Sequence, residues 1–193
     1  MSKDIRLRKG LNVNIVGEAD KVYASVPLSS QYIIKPTDFH GLTPKLKIKV
    51  GDQVKAGDGL FFDKYNEGVN FCSPVSGKII DVERGEKRKI TKIIIQADKN
   101  IIYKDFPTIS AKNVSREEII KHMLNAGVWP FVRQRPYDII ANPNDMPKAI
   151  FISSFNSTPL TIDNDFALYG MTDLFQKGLD FIVKLTKGKT YLN

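Results

Sequence analysis

Cysteine is nearly absent from this sequence. The 193 residues hold one, Cys72, which excludes an internal disulfide and any thiolate metal cluster supplied by this chain alone. A free cysteine suits a reducing compartment, so a cytoplasmic setting is the default expectation. Long apolar runs are missing too, and none approaches the roughly 20 residues that a membrane-spanning helix needs. The start, Met1-Ser2-Lys3-Asp4-Ile5-Arg6, lacks the apolar stretch of a secretory signal. Histidine is limited to His40 and His122. No Ser/His/Asp or Cys/His set, metal-ligand cluster or carboxylate pair stands at a spacing that supports hydrolytic, nucleophilic or metal chemistry. No complete active site, and no metal site, is expected.

What is present is an ordinary globular composition, 42% hydrophobic and 26% charged, with a formal net charge of +8. Such a balance suits nucleic acid, an anionic membrane surface or an acidic partner. The cations are nevertheless spread out. Lys45, Lys47 and Lys49 alternate with Leu46, Ile48 and Val50, so one strand would carry the lysines on one face and core residues on the other. Arg84, Lys87, Arg88, Lys89 and Lys92 surround a turn. No recognition helix, RNA motif or aromatic–basic interleaving accompanies them, and nucleic acid is not an expected partner.

The first hundred residues read as β. Strands are predicted over Leu11–Val16, Leu46–Val50, Gly59–Phe62, Val69–Cys72, Lys78–Val82 and Ile90–Gln96, punctuated by Gly51-Asp52, Gly57-Asp58 and Gly85-Glu86. Pro27, Pro36 and Pro44 mark an irregular stretch after the first of them. The pattern changes near Ile102. Ser115-Arg116-Glu117-Glu118 is a capping box, Ile119, Ile120, Met123 and Leu124 follow at helical spacing, and Gly127 suits the position just past the helix end. A buried strand is predicted over Lys148–Ser154 and a helix over Leu174–Leu185, with Phe175, Leu179, Ile182 and Val183 on one face. Thr190-Tyr191-Leu192 opens another strand. This alternation is the start of an α/β domain, and a sheet stopping there would leave an edge unpaired, so the chain is expected to be part of a longer protein.

Within the β half lies Val50-Gly51-Asp52-Gln53-Val54-Lys55-Ala56-Gly57-Asp58-Gly59-Leu60, followed by Ser73-Pro74-Val75-Ser76-Gly77-Lys78-Ile79. The pair resembles the turn-and-strand wording of lipoyl and biotinyl carrier domains over Leu46–Gln96. The resemblance implies a flattened barrel-sandwich hybrid with a lysine presented at a hairpin tip. Counting back from Pro74 places that tip near Asn66, and Lys64 lacks the flanking Met or small apolar residues of a carrier. No lipoyl-type lysine is expected, and Lys64 reads as an unmodified surface or ion-paired residue. Cys72 reads as a small buried apolar residue.

Further blocks extend the resemblance: Lys9–Glu18, Asp38–Pro44, Phe62–Asn66, Arg84–Arg88, Arg135–Asp138, Ala149–Leu160 and Gln176–Asp180. In this order they resemble the A subunit of the Na+-translocating NADH:quinone oxidoreductase along almost the whole chain. The resemblance implies an α+β multidomain fold: a barrel-sandwich hybrid with an N-terminal extension over 1–104, then an α/β Rossmann-like domain over 105–193 that is incomplete. It implies a peripheral component at the cytoplasmic face of a bacterial inner membrane, in a six-subunit complex that couples NADH oxidation and ubiquinone reduction to sodium export. The membrane-embedded B subunit would be the main partner. The NADH, flavin, iron–sulfur and ubiquinone chemistry of that complex would lie in other subunits, with no cofactor bound by this chain.

Relatives in fold, the flavin-binding subunit of complex I and the C subunit of Rnf complexes, carry a glycine-rich nucleotide loop. Here that stretch is Ala126-Gly127-Val128-Trp129-Pro130-Phe131-Val132-Arg133. One glycine followed by Trp and Pro cannot bring several backbone amides to a pyrophosphate, so binding of NADH or FMN there is not expected. Trp129, Phe131, Arg133 and Arg135 form an aromatic–basic set of a kind that faces a quinone head group or an acidic partner. The plainer reading is a core aromatic beside ion-paired arginines. His40 could handle a proton near a quinone, against the plainer role of hydrogen bonding in a turn, and His122 reads as surface or structural. Two alternatives stand beside membership of such a complex. One is a lipoyl or biotinyl carrier, the other a flavin- or NADH-binding subunit of the Rnf or complex I type.

Overall fold

The computed structural model describes residues 15–17, 20–156, 158 and 160–193. The predicted strand Leu11–Val16 lies mostly outside them, and its described end, Ile15 and Val16, is exposed and not in a strand. Seven strands build the first unit: β1 (Gln31–Ile34), β2 (Pro44–Leu46), β3 (Gln53–Val54), β4 (Gly59–Asp63), β5 (Asn66–Cys72), β6 (Gly77–Arg84) and β7 (Ile90–Ala97). They form two antiparallel sheets, one ordered β1-β7-β6-β3 and the other β2-β4-β5.

The two Gly-Asp turns carry the chain from one sheet to the other and back. Asp52 and Asp58 each accept the backbone amide three residues earlier, from Lys49 and Lys55, at 2.8 Å, the local bond that makes Asp a turn residue. Each turn then pairs with the other half of the unit. Gly51 N donates to Ile79 O at 2.8 Å while Ile79 N donates to Asp52 O at 2.9 Å. Gly57 N donates to Ser73 O and Ser73 N to Asp58 O, both at 2.8 Å. Between the sheets Leu60, Phe61, Ile79, Ile93 and Ile95 are fully buried, and Phe61 stacks on Phe71 at 4.5 Å. Gly77 sits where a Cβ would lie 2.0 Å from Gln96 O, so the Pro-x-x-Gly entry to β6 needs glycine to let β7 approach.

Several local expectations need correction. β1 falls inside the stretch expected to be irregular, and it is an edge strand whose residues are at most half-buried. The strand expected over Leu46–Val50 is instead β2, Pro44–Leu46, with one further bond from Lys47 N to Leu60 O at 2.9 Å. The chain then bends, leaving Ile48 buried but Val50 58% exposed on the turn. The lysine alternation survives that bend, since Lys45 and Lys47 each lie 5.5 Å from the Phe62 ring.

The second unit holds α1 (Arg116–Asn125), β8 (Arg133–Gln134), β9 (Ile139–Ile140), β10 (Ala149–Ile152), α2 (Asn164–Ala167), α3 (Thr172–Ile182) and β11 (Lys189–Leu192). β10 and β11 pair in parallel, as the α/β pattern predicts, and β8–β9 is a small hairpin. β10 is less buried than expected: Phe151 is 76% exposed and stacks on Tyr191. In the last helix Val183 points outward, and Leu185, in the short turn after α3, is the buried residue.

α1 starts and stops as its sequence predicts. Ser115 Oγ accepts Glu118 N at 3.2 Å while Glu118 accepts Ser115 N at 2.9 Å. At the other end Val128 N donates to Met123 O and Gly127 N to Leu124 O, a Schellman motif with Gly127 at φ +69°. Gly127 lies against β5, where a Cβ would meet Cys72 Sγ at 2.6 Å. Through this contact and Leu124 over Gly68, Ile119, Ile120, Trp129 and Leu185 join the same apolar cluster as Leu60 and Phe61.

The two ends of α1 give two tests. Ser115→Ala should cost about 1 kcal/mol in urea unfolding. The Ser115 amide and hydroxyl hold the Glu118 carboxyl below its ordinary value. A carboxyl depressed in this way stabilises fully above its unfolded pKa, and the effect is lost as pH falls through the folded one. The stability gap between Glu118→Ala and the parent should therefore narrow on acidification. Gly127→Ala should cost about 2–4 kcal/mol, from positive φ and overpacking together. Cys72→Ala should recover part of that loss in the double variant, and strict additivity would contradict the contact.

Candidate functional site

The stretch from Ala126 to Arg133 follows the end of α1 and runs into a single 3-10 turn, Trp129–Phe131. A helix C-terminus presents carbonyls and the negative end of its dipole, the opposite of an anion cradle. Trp129 is buried, and its indole N–H donates to Ala141 O at 2.7 Å. Pro130 beside it is fully buried. The indole therefore belongs to the core, which corrects its place in the aromatic–basic set and matches the plainer reading. Phe131 is on the surface, 74% exposed.

The two arginines stand on the β8–β9 hairpin and converge on Asp138, which turns it at φ +52°. Arg133 donates to Asp138 O at 3.3 Å, and the Arg135 guanidinium lies 3.9 Å from the Asp138 carboxylate. Both arginines are exposed, so these contacts contribute little stability and mainly orient the guanidinium groups. His40 is exposed in the loop preceding β2. The next residue, Gly41, approaches the hairpin, since a Cβ there would lie 3.7 Å from Ile139 Cγ2. The fold thus brings the His40 loop to the hairpin of Arg133 and Arg135, leaves Phe131 exposed close by in sequence, and removes Trp129.

The β4–β5 hairpin also differs from expectation. Asp63 pairs with Asn66, so the tip is the two-residue turn Lys64-Tyr65, and Asn66 already belongs to β5. Lys64 is exposed, with its ammonium 5.9 Å from the Tyr65 ring and its backbone amide bonded to Thr43 O. Cys72 is half-buried at the junction, and desolvation pushes its thiol up despite the nearby Lys104 and Lys47. A thiol held protonated is a poor nucleophile and a poor metal ligand. Among the described residues no group of three or more His, Cys, Asp or Glu could hold a metal ion, and no helix is long and apolar enough to cross a membrane.

Three contacts escaped sequence reading because they join distant segments. Arg116 donates to Leu185 O and Asp145 O, at 3.0 and 2.6 Å. Lys184 reaches the carbonyls of Ala111, Lys112 and Val114. Tyr23 stacks on Phe166, beside the Lys21–Asp163 ion pair, laying the amino-terminal arm over α2. Arg116 also lines a groove of about 420 Å³ with Lys121, Leu124 and Asn70, where α1 meets β5. The capping box, the apolar spacing and Gly127 mark this helix in the sequence, but its arginine carries no separate signal.

With this geometry in view, comparison with known proteins gives a consistent answer. The sequence profile of the NqrA N-terminal barrel-sandwich hybrid domain matches residues 5–98, and that of the NqrA second alpha/beta domain matches residues 114–193. Curated relatives described as the A subunit of Na(+)-translocating NADH-quinone reductase include proteins of Neisseria meningitidis and Psychromonas ingrahamii, each 33% identical over 190 residues. Another, from Marinomonas sp., is 30% identical over 189 residues. Each alignment covers 97% of this chain, whereas the chain spans only 42–43% of the relatives' length. The two sheets and the α/β unit described above are the folds these profiles name, in the same order: the chain belongs to the NqrA family and holds its barrel-sandwich hybrid and second α/β domains.

Proposed function

We propose that this chain serves as part of the A subunit of a Na+-translocating NADH-quinone reductase, peripheral to the membrane and concerned with assembly and the quinone half of the reaction. The collinear match of both domains carries this reading. The partners would be the other subunits, the membrane-embedded B subunit foremost, and the coupling of NADH oxidation to sodium export would be a property of the assembled complex. Phe131, Arg133, Arg135 and the His40 loop form the surface best suited to a partner or a quinone head group. An exposed aromatic ring beside guanidiniums can stack on a ring and donate to its carbonyl oxygen.

The reading gives this chain no nucleotide of its own. A helix C-terminus, a buried Pro130 and a core-bound Trp129 occupy the place of a phosphate loop. A carrier role is the second reading, favoured by Lys64 standing at a two-residue hairpin tip. Its flanks are Asp63 and Tyr65, without the apolar neighbours of a carrier lysine.

The purified chain is expected to be colourless and to show no fluorescence change on adding NADH or FMN. Bound flavin would support the nucleotide-binding alternative instead. Intact mass from the native host should equal the sequence mass, and an acyl adduct on Lys64 would establish the carrier. The full-length protein should co-purify with the rest of the complex. A reactive quinone analogue should label it near Phe131 or Arg133, and labelling confined to other subunits would remove the quinone role.

A further inference from the structure

One end of the barrel-sandwich unit gathers cations that the reading above does not use. Two hairpins flank the segment 36–44 there. The β4–β5 hairpin is tied to it through Lys64 N on Thr43 O at 2.9 Å. On the other side Lys89 and Ile90, where β7 begins, share with Pro36–Pro44 the walls of a recess of about 390 Å³. Both hairpins turn on exposed basic residues, Lys64 in one and Lys87, Arg88 and Lys89 in the other. None of these four is in an ion pair among the described residues. Of the nearby carboxylates, Asp63 is engaged by Tyr65 N and Asn66. Glu67, Glu86 and Asp38 are the others; Lys45 and Arg84 stand beside the two hairpins with the four cations above, so six positive charges face four negative ones and the excess is positive.

The β6–β7 turn shows that local stability is given up here. Lys87 and Arg88 have φ of 52° and 60°, the consecutive left-handed pair that hairpin turns usually assign to Asn-Gly. Two long cationic side chains stand at positions where backbone preference disfavours them. Strain kept at an exposed tip points to a use for what the tip displays.

We propose that this end of the molecule docks on an anionic bilayer surface. The chemistry favours lipid head groups over a carboxylate-bearing protein. Most of the cations are lysines, point charges that suit a diffuse field of anionic head groups and lack the planar fork that grips one carboxylate. Of the two arginines here, Arg84 donates to Arg88 O at 3.3 Å, which leaves a single fork, that of Arg88, at the tip. Tyr65, 74% exposed beside Lys64, offers an amphipathic ring of the kind that settles at a membrane interface. The inference deepens the proposed membrane-complex role, but its test needs no other subunit, so the two can fail separately.

The test is flotation of this chain with vesicles containing phosphatidylglycerol or made of phosphatidylcholine alone. Binding is expected only with the anionic lipid and should weaken as salt rises. Each cation near such a surface strengthens binding about fivefold, so Lys64→Gln, Lys87→Gln and Arg88→Gln together should weaken it about a hundredfold. Lys121→Gln, Lys177→Gln and Lys187→Gln remove the same charge elsewhere and should change it far less. Lys87→Asn with Arg88→Gly should raise the thermal midpoint while weakening vesicle binding, a divergence that a purely structural turn would not produce. Equal loss in both triple variants would reduce the effect to net charge and overturn the proposal. So would binding to polyglutamate but not to vesicles, which would assign the surface to an acidic protein.

Discussion

The structure depends on one repeated constraint: a Gly-Asp turn whose backbone pairs reciprocally with the opposite half of the sandwich. Asp52 and Asp58 close their own turns, which aligns the backbone at Gly51 and Gly57 for pairing with Ile79 and Ser73. Two bonds at each junction extend the β3–β6 and β4–β5 ladders into the turns where the chain crosses between sheets, and in the space between the sheets Leu60, Phe61, Ile79, Ile93 and Ile95 exclude water completely. Gly77 belongs to the same constraint, because the strand it opens runs too close to Gln96 O for any side chain. The segment after β7 returns to the second turn, where Ala56 N donates to Ile102 O, Lys104 N donates to Ala56 O and the Asp58 carboxylate meets the Lys104 ammonium at 3.5 Å.

That scaffold was legible because its signals are local. Gly-Asp turns, β4, β6, β7 and the capping box of α1 each announce themselves within a few residues. β1 was hidden because an edge strand between Ser29 and Pro36 buries little and shows weak alternation. The hairpin tip was misplaced for a different reason. Counting back from Pro74 assumes an unbroken ladder, but β4 and β5 shift register between Gly59 and Phe61 and again between Phe62 and Asp63. Each irregularity changes which residue reaches the turn. The candidate site was half legible. Arg133 and Arg135 could be named from composition, but only tertiary structure shows that Asp138 gathers them and that Trp129 turns inward to Ala141.

α1 determines how the second unit relates to the first. Its Schellman end seats Gly127 on Cys72, its apolar face adds Ile119 and Ile120 to the sandwich core, and Arg116 and Lys184 tie the flanking segments to it. A helix used this way points its C-terminus at the loop where relatives in fold would need an N-terminus. Trp129 and Pro130 in the stretch 126–133 are therefore committed to packing, while Phe131 and Arg133 stay at the surface.

The two units differ in how far they satisfy themselves. The sandwich pairs all seven of its described strands into two sheets and seals the space between them. The α/β unit has one parallel pair, a geometry that ordinarily has both faces covered. Phe151 instead lies open on β10, and Tyr169, Leu174 and Val183 are exposed on or beside α3. Local opening begins where buried apolar contacts are fewest, so the β10–β11 pair should loosen before the strands held by the Gly-Asp turns. On this reasoning the sandwich is the rigid member, able to present the charged tips of its hairpins in fixed register. The α/β unit owes much of its order to α1, whose contacts with β5 connect it to that rigid core.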